Sequence, residues 1–469
     1  MDDHYLWLEN ITGDRALDWV ADRNAHSLDR LQSDKRYELF KAAAISNYTA
    51  MDRIPYGQYM AGKIHNFWQD EGHVKGIWRV TTLESYVSDA PDWTTLLDVD
   101  ALADEEGENW AYKGKTCLAP DYERCLLHLS RGGSDAVEVR EFDIRKREFV
   151  DDGFFVAEAK TRIAWVDEDH VLVASDFGPG SLTASGYPRI VRKWRRGSKL
   201  EDAQPVFIAD KADTLVGVTN IHREEGDYLF IIKVPEFFKE EVYLLAPDDS
   251  LSRVPLPIDA DFQGVFGKYI VARLRSDWLV GDSAHSAGSL VGMDLKAIGK
   301  QPFNVETLFK PDKSMAIREV SLGRDAIFLS LLDDVSGTLL EVKPGVDQGW
   351  QSKTITLPGN GSINLVDNDP VHDITMFSFE SFLVPSSLYL LNQGAEPEII
   401  KSSPHRFATD GYQTEQRFAK SKDGTQVPYY VVAKKTIEYD GSNPTYMFAY
   451  GGFNAPLTPE YVSAMEIEW

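Results

Sequence analysis

The chain has 469 residues, with 49 Lys and Arg against 74 Asp and Glu, which gives a net charge of −25. This balance repels nucleic-acid phosphates and anionic membrane surfaces, so it argues against both as partners. Because 43% of the residues are hydrophobic, a chain of this length predicts two or more globular domains and excludes an intrinsically disordered protein.

The N-terminal segment, residues 1–56, is predicted to be helical. Leu17, Val20 and Leu28 recur at helical spacing and would share one face, and an alanine-rich helix is expected over residues 35–47. The opening sequence MDDHYLWLEN has neither a basic nor an apolar signal region, and no apolar run reaches the ~18–20 residues that cross a bilayer. We therefore expect a cytoplasmic location, unless the N-terminus was trimmed.

Residues 57–405 have a different pattern, in which short β-type runs alternate with turn residues. CLLHLS followed by AVEVREFDI is one such pair, and no convincing helix is predicted between the pairs. Repeated strand pairs over this length predict a propeller or a very large sandwich. At roughly 50 residues per blade, the region would hold about seven blades.

Two features of this β-rich region could suggest a metal ion or a disulfide, and both are interpreted as structural. Residues 98–108 (DVDALADEEGE) place Leu102 and Gly107 wrongly for a calcium loop, which favours a solvated acidic loop. Cys117 and Cys125 are too few for a disulfide framework, and neither CxxC nor HExxH occurs. We therefore expect reduced cysteines, no metal site and no cofactor.

The pattern changes again over residues 406–469. A hairpin is predicted over residues 415–433, around an Asp-Gly turn dipeptide. The apolar run TYMFAY at residues 445–450 predicts a buried strand, and the two glycines after it are typical of the ligand-binding edge of an α/β sheet. Residues 461–469 are apolar up to the last residue, which suggests a truncated chain that ends inside a helix.

The sequence contains no complete catalytic motif. The G-x-S-x-G motif of a nucleophile elbow is absent, and the nearest match, GDSAH from Gly281, has His285 in place of the second glycine. The ten histidines are scattered singly, with no pair at metal-binding spacing. Composition and spacing alone therefore indicate an acidic β-repeat protein without a complete active site.

Five short segments carry further information, namely DHYLWLE at residues 3–9, LSRGGSD at 129–135, FESFLVPSSLY at 379–389, SKDGTQVP at 421–428 and YGGFN at 450–454. Together, and in the right order along the chain, they resemble the prolyl oligopeptidase family of serine peptidases. His4 stands where the family usually has proline, which is a minor departure. The YGGF form favours the prolyl oligopeptidase branch of the wider family.

The resemblance implies a mainly β fold, in which a seven-bladed β-propeller covers an α/β-hydrolase domain. Residues 57–405 would be the propeller, residues 1–56 the N-terminal helical segment of the hydrolase, and residues 406–469 the beginning of that domain. It also implies that Tyr450 helps to form the oxyanion hole and that Phe453 lines the substrate pocket. The catalytic Ser, Asp and His of the family lie beyond YGGFN and are not in this chain, so we expect it to be inactive alone.

Two functions remain open at this point. In the first, the chain is part of a serine-type oligopeptidase that hydrolyses short peptides, after proline, with the propeller gating substrate access. In the second, it is a non-catalytic propeller that binds a peptide or protein partner. A glycine-flanked serine, followed by Asp and His, beyond residue 469 would favour the first. The sequence does not indicate the oligomeric state.

Overall fold

The computed structural model describes residues 3–10, 12–345, 349–372, 374–392 and 395–461. These residues form two compact units. Within the described residues, the first unit contains 3–52 and 406–408, and the second contains 53–405 and 409–461.

The first unit is helical, as the sequence predicts. A 3₁₀ turn (Leu6–Glu9) precedes helices α1 (Asp14–Gln32) and α2 (Tyr37–Tyr48). The side chain of Arg406 pairs with that of Asp52, with Nη1 3.0 Å from Oδ2. The predicted apolar face of α1 remains half exposed within this unit, since Leu17 and Leu28 are 51% and 50% exposed. No described helix of the chain is long and apolar enough to cross a membrane.

The second unit contains seven antiparallel sheets of four or five strands, which confirms the predicted seven-bladed propeller. Blade 1 consists of β1 (Gly57–Met60), β2 (Lys63–Trp68), β3 (Ile77–Thr82) and β4 (Thr94–Asp98). Blade 2 consists of β5 (Trp110–Cys117), β6 (Arg124–Arg131), β7 (Val137–Asp143), β8 (Glu148–Phe149) and β9 (Phe155–Ala159), and both β8 and β9 pair with β7. Blade 3 consists of β10 (Arg162–Asp167), β11 (His170–Ala174), β12 (Ile190–Arg195) and β13 (Gln204–Ile208).

The remaining blades repeat this meander. Blade 4 consists of β14 (Leu215–Arg223), β15 (Gly226–Glu236), β16 (Lys239–Leu245) and β17 (Leu251–Arg253). Blade 5 consists of β18 (Asp261–Phe266), β19 (Tyr269–Arg273), β22 (Leu290–Asp294) and β23 (Val305–Phe309), with an inserted hairpin of β20 (Trp278–Val280) and β21 (Ser283–His285). Blade 6 consists of β24 (Met315–Leu322), β25 (Ile327–Asp333), β26 (Ser336–Pro344) and β27 (Trp350–Ile355). Blade 7 consists of β28 (Ser362–Asn368), β29 (Ile374–Glu380), β30 (Ser387–Asn392) and β31 (Glu398–Ser402).

The first strand of each blade lies nearest the ring axis, because the first strands of neighbouring blades contact one another. Strands alternate in direction within a blade, so the turns between its first and second strands all lie at one end of the ring. We call this the far end. The turns between second and third strands lie at the opposite end, together with the connections from blade to blade. We call this the linker end.

Side chains join the blades around the axis. Trp165 Nε1 of blade 3 donates to the carbonyl of Thr116 in blade 2 at 2.9 Å. The ring closes between blades 7 and 1 without a shared strand, since each of these blades is one continuous stretch of chain. Asp367 of blade 7 accepts the Tyr59 backbone N–H of blade 1 at 2.5 Å. Packing of both blades in one apolar cluster completes the closure.

The expectation of no helix within the propeller is wrong for blade 1. Helix α3 (Leu83–Val87) follows β3, and helix α4 (Val99–Glu106) follows β4. The interpretation of residues 98–108 as a solvated acidic loop is therefore also wrong. Asp98 accepts the Ala101 N–H at 3.0 Å as an N-cap, and Gly107 ends α4 with a φ of 69°. These are ordinary start and stop signals of a helix, and α4 buries Val99, Leu102 and Ala103.

The expectation of reduced cysteines is wrong as well. Cys117 at the end of β5 lies directly opposite Cys125 in β6, with their Cα atoms 3.9 Å apart, and the two form a disulfide. Spacing in the sequence could not reveal this pairing, because it depends on the register of the two strands.

The C-terminal part confirms one prediction and contradicts another. Strands β32 (Tyr412–Lys420) and β33 (Gln426–Lys434) form the predicted hairpin. The predicted buried strand at residues 445–450 is absent, and Tyr446 and Met447 there are 81% and 89% exposed. No strand in the described part of the chain pairs with this run, so its backbone lacks the ladder that a strand requires. The predicted helix near the last residue lies in 462–469, outside the described residues.

Candidate functional site

The YGGFN segment forms a tight turn just after the exposed apolar run. Phe453 and Asn454 have φ values of 55° and 54°, and the Ala455 N–H donates to the Gly452 carbonyl at 3.0 Å. Two consecutive residues with positive φ are the signature of a type I′ turn. Such a turn points the Phe453 side chain outward, and it is 69% exposed.

Tyr450, the predicted oxyanion-hole residue, folds back over Gly452. A Cβ atom built at residue 452 would lie 2.8 Å from the Tyr450 hydroxyl oxygen and 3.0 Å from its ring. Only glycine at 452 leaves room for this side chain without a shift. The Tyr450 side chain is 52% exposed, so its hydroxyl is available as a neutral hydrogen-bond donor.

Phe453, the predicted substrate-pocket residue, lies beside the tip of a propeller hairpin. Its ring centroid is 5.7 Å from that of Phe237, and Phe237 is 6.0 Å from Phe238. These two residues form the turn between β15 and β16 of blade 4, at the linker end. Phe237 is 72% exposed, which is unusual for an aromatic side chain of this size. We call Phe237, Phe238 and Phe453 the aromatic cluster.

Phe238 occupies an unfavourable backbone conformation. Its φ of 61° lies in the left-handed region, where turns normally place Gly or Asn. Its ring is covered by the Arg275 guanidinium, whose carbon lies 4.4 Å from the ring centroid. Arg275 Nε in turn donates to Asp261 Oδ1 at 2.8 Å, which fixes the guanidinium. Phe238 thus keeps an unfavourable backbone conformation while Arg275 holds its ring in place, which suggests a functional constraint.

Glu240, Asp261 and Arg275 form a partly buried network of charged groups next to the aromatic cluster. Glu240, next to the hairpin tip, accepts the Phe262 N–H. Burial raises the pKa of Glu240, and the nearby Asp261 raises it further, while Arg275 lowers it. The network therefore holds the base of the hairpin, while Phe237 at its tip stays largely exposed.

The sequence analysis did not identify Phe237 and Phe238. The available signal was EFFK between two β runs, where a two-residue turn normally contains Gly, Asn or Asp. Two aromatic residues at such a point are an anomaly that a search for turn residues could have detected.

The described residues do not form a catalytic triad. Four histidines pair with aspartates three or five residues away in the chain, namely His73, His170, His222 and His372. None of these four hydrogen-bonds to a serine hydroxyl within the described residues. The GDSAH segment forms the hairpin of β20 and β21, where His285 is buried and its Nδ1 lies 2.8 Å from Thr307 Oγ1. The described residues also hold no group of three or more His, Cys, Asp or Glu that could bind a metal ion.

Comparison with known proteins identifies the family. Residues 1–402 match the family described as the prolyl oligopeptidase N-terminal beta-propeller domain. An uncharacterized peptidase of Sinorhizobium fredii is 37% identical over 478 residues, covering 100% of this chain and 66% of the relative. A second uncharacterized peptidase, from Rickettsia prowazekii, is 29% identical over 99% of this chain and 66% of its own length.

The fold comparison agrees. The structure of a post-proline cleaving enzyme from Rickettsia typhi superimposes with a TM-score of 0.92 at 29% identity, covering 99% of this chain and 69% of that one. The chain thus spans 66% of the length of the two curated relatives. The family match and the seven-bladed fold together show that this chain belongs to the prolyl oligopeptidase family and contains its N-terminal β-propeller domain.

Proposed function

We propose that this chain is part of a serine-type oligopeptidase that hydrolyses short peptides after proline. The observation that carries the proposal is the aromatic cluster, in which Phe453 of the YGGFN segment lies beside Phe237 of blade 4. Flat aromatic surfaces are suited to pack against a proline ring or another apolar side chain of a peptide. The similarity to a post-proline cleaving enzyme supports the choice of substrate.

In this proposal, residues 1–56 and 406–469 belong to the hydrolase domain, and residues 57–405 form a propeller that limits access to it. The nucleophile, its base and its orienting acid would lie beyond residue 469. Tyr450 would then donate a hydrogen bond to the oxyanion that develops on the scissile carbonyl, beside a backbone N–H. Phe453 would form one wall of the substrate pocket.

The first test uses the protein extended beyond residue 469 and a chromogenic proline-containing peptide. Tyr450→Phe removes one hydroxyl and keeps the ring, so kcat should fall by about 10²–10³-fold with little change in KM. Tyr446→Phe is the matched control, because Tyr446 lies in the same segment, is 81% exposed and should not affect kcat. An unchanged kcat in Tyr450→Phe would remove this residue from the mechanism.

The second test addresses the aromatic cluster. Phe238→Gly relieves the left-handed backbone conformation, so the folded chain should be as stable as the wild type or more stable by up to ~1–2 kcal/mol. Loss of the ring should raise KM by roughly tenfold, the effect of about 1.4 kcal/mol of lost contact. The control is Val335→Gly, which changes a residue of φ 62° in the corresponding turn of blade 6. Equal kinetic effects in both variants would contradict a specific role for Phe238.

The alternative is a non-catalytic propeller that binds a peptide. The extended protein would then bind proline-containing peptides without cleaving them, and a serine-reactive phosphonate would label no residue. The phosphonate therefore separates the two functions even when the natural substrate is unknown.

A cytoplasmic location is also part of the proposal, although the Cys117–Cys125 disulfide is of a kind that persists mainly in oxidising compartments. The test is cell fractionation, and recovery of the protein outside the cytoplasm would contradict the proposal.

A further inference from the structure

A cleft of about 550 Å³ lies between the outer parts of blades 5 and 6, and we call it the outer cleft. It is lined by Tyr269 at the start of β19, Glu306 in β23, Pro344 at the end of β26 and Trp350 at the start of β27. Strands β23 and β27 are the fourth strands of their blades and contact one another. Because strands alternate in direction, these residues all lie at the far end of the ring, whereas the aromatic cluster lies at the linker end.

Two neutral donors hold the carboxylate of Glu306 in the outer cleft. The Tyr269 hydroxyl donates to Glu306 Oε1 at 2.9 Å, and Trp350 Nε1 donates to Glu306 Oε2 at 3.3 Å. Tyr269 reaches across β22 because Gly292 leaves room for its ring, and a Cβ atom there would lie 3.1 Å from Tyr269 Cδ1. Burial raises the pKa of Tyr269 and the bond to Glu306 raises it further, so the hydroxyl keeps its proton. The carboxylate is therefore fixed, and each of its oxygens can accept a second hydrogen bond.

The negative charge of Glu306 is not neutralised by the chain itself. Among the residues that the structure describes, no Lys, Arg or His side chain forms an ion pair with it. Lys268 is nearby, but its Nζ lies 4.9 Å from the centroid of the Tyr269 ring instead. A carboxylate that is oriented by neutral donors and has no cation beside it is suited to bind a cation from another molecule.

Aromatic surface beside the carboxylate narrows the choice of cation. The half-buried Trp350 ring has its centroid 5.7 Å from that of Tyr269 and 5.9 Å from that of Phe266, and these neighbours hold the indole in place. Indole rings attract cations more strongly than other aromatic side chains do. A guanidinium is planar and weakly hydrated, so it can stack on such a ring while its N–H groups donate to a carboxylate.

We propose that the outer cleft binds the guanidinium group of an arginine side chain on a peptide or protein partner. The guanidinium stacks on Trp350 and donates to the Glu306 carboxylate, which Tyr269 and Trp350 hold in position. The site lies at the opposite end of the ring from the aromatic cluster, so it does not depend on the proposed peptidase function. Its test needs no peptidase assay, and failure of one proposal is distinguishable from failure of the other.

The test is a titration of the ¹⁵N-labelled chain with N-acetyl-arginine amide at fixed pH and salt. The indole N–H resonance of Trp350, assigned by its loss in Trp350→Phe, reports binding next to Glu306. For a ligand of this size, a dissociation constant on the order of 1 mM is expected. N-acetyl-citrulline amide has nearly the same shape but no charge, and it should bind at least tenfold more weakly. Equal binding of the two compounds would overturn the proposal.

Two substitutions should change the affinity in opposite directions. Glu306→Gln keeps the size of the side chain and removes its charge, so binding should weaken by about tenfold. Lys268→Gln removes a positive charge beside Tyr269 that repels the ligand, so binding should strengthen by about twofold. Loss of structure would weaken binding in both variants, and thermal unfolding verifies that each is folded. Lys268 is exposed, so its variant keeps the test valid if Glu306→Gln does not fold.

Glu398→Gln is the matched control. Glu398 is an exposed residue of β31, the fourth strand of blade 7, and its replacement changes the net charge by the same amount as Glu306→Gln. Because the chain has a net charge of −25, a cation could be attracted without a specific site, and both variants would then weaken binding equally. That result, or unchanged binding in Glu306→Gln, would overturn the proposal; wild-type affinity in Glu398→Gln alone is the expected outcome.

Discussion

Two similar apolar runs of the second unit have opposite structures. In blade 7, ITMFSFE forms the central strand β29, with Met376 and Phe377 both 0% exposed. Residues 445–450, TYMFAY, share the Met-Phe pair, yet Met447 is 89% exposed and Phe448 is 67% exposed. The difference is in the neighbours, because β29 pairs with β28 and β30 along its length. A run of strand-forming residues becomes a strand only where a partner completes its hydrogen bonds.

The largest expected effect is a direct test of this comparison. Phe377→Ala should lower the free energy of unfolding by about 3–5 kcal/mol, because it opens a cavity in the cluster that joins blades 6 and 7. Phe448→Ala, which removes the same ring from an exposed site, should change it by less than about 0.5 kcal/mol. Urea unfolding followed by fluorescence measures both, and similar losses would show that residues 445–450 are packed in solution.

The second prediction concerns the pairing of β5 with β6. Replacing both Cys117 and Cys125 with serine removes a cross-link that closes a loop of about nine residues, which should cost roughly 2–3 kcal/mol by the chain-entropy estimate. Calorimetry under non-reducing conditions measures the change. The wild type treated with a dithiol is the control and should match the double variant; no difference between oxidised and reduced wild type would show that the strands alone fix this register.

The third prediction uses a carboxyl group that is buried by neighbouring blades. Burial raises the pKa of Asp367 to about 7, and Asp369 adds to this, although the Tyr59 N–H and Lys115 oppose it. The folded state thus binds this proton more tightly than the unfolded chain, whose pKa is about 3.9. The contribution of Asp367 to stability is therefore greatest below about pH 4 and is lost as the pH rises toward 7.

Asp367→Asn should remove this pH dependence. The difference in unfolding free energy between variant and wild type should change by up to about 1.4 kcal/mol per pH unit between pH 4 and 7, in favour of the variant at higher pH. Comparison with the wild type cancels His65, whose pKa is lowered to about 3 by burial and whose effect has the opposite sign. Asp151→Asn, at an exposed turn, is the control, and parallel curves for Asp367→Asn and wild type would refute the prediction.

The smallest expected effect tests an element that depends on local signals. Asp98→Ala removes the N-cap of α4 and should cost about 1 kcal/mol. Asp98→Asn keeps an acceptor and should cost much less. Thermal unfolding measures both, and equal losses would indicate that packing of α4, rather than its cap, determines where the helix begins.

The sequence by itself determined the features that depend on local pattern. Helical spacing in α1, the strand pair β6 and β7, and the Asp-Gly turn between β32 and β33 were all predictable, since each is encoded by residues near in the chain. The order of family motifs along the chain predicted the propeller and singled out Tyr450 and Phe453 as site residues. Their catalytic roles stay predictions.

Only the tertiary structure decided features that depend on distant neighbours. The disulfide requires strand register, the exposure of residues 445–450 reflects missing strand partners, and the contact of Phe453 with Phe237 joins residues more than 200 positions apart. Local periodicity records which face of an element is apolar, but it carries no information about which distant residue will cover that face.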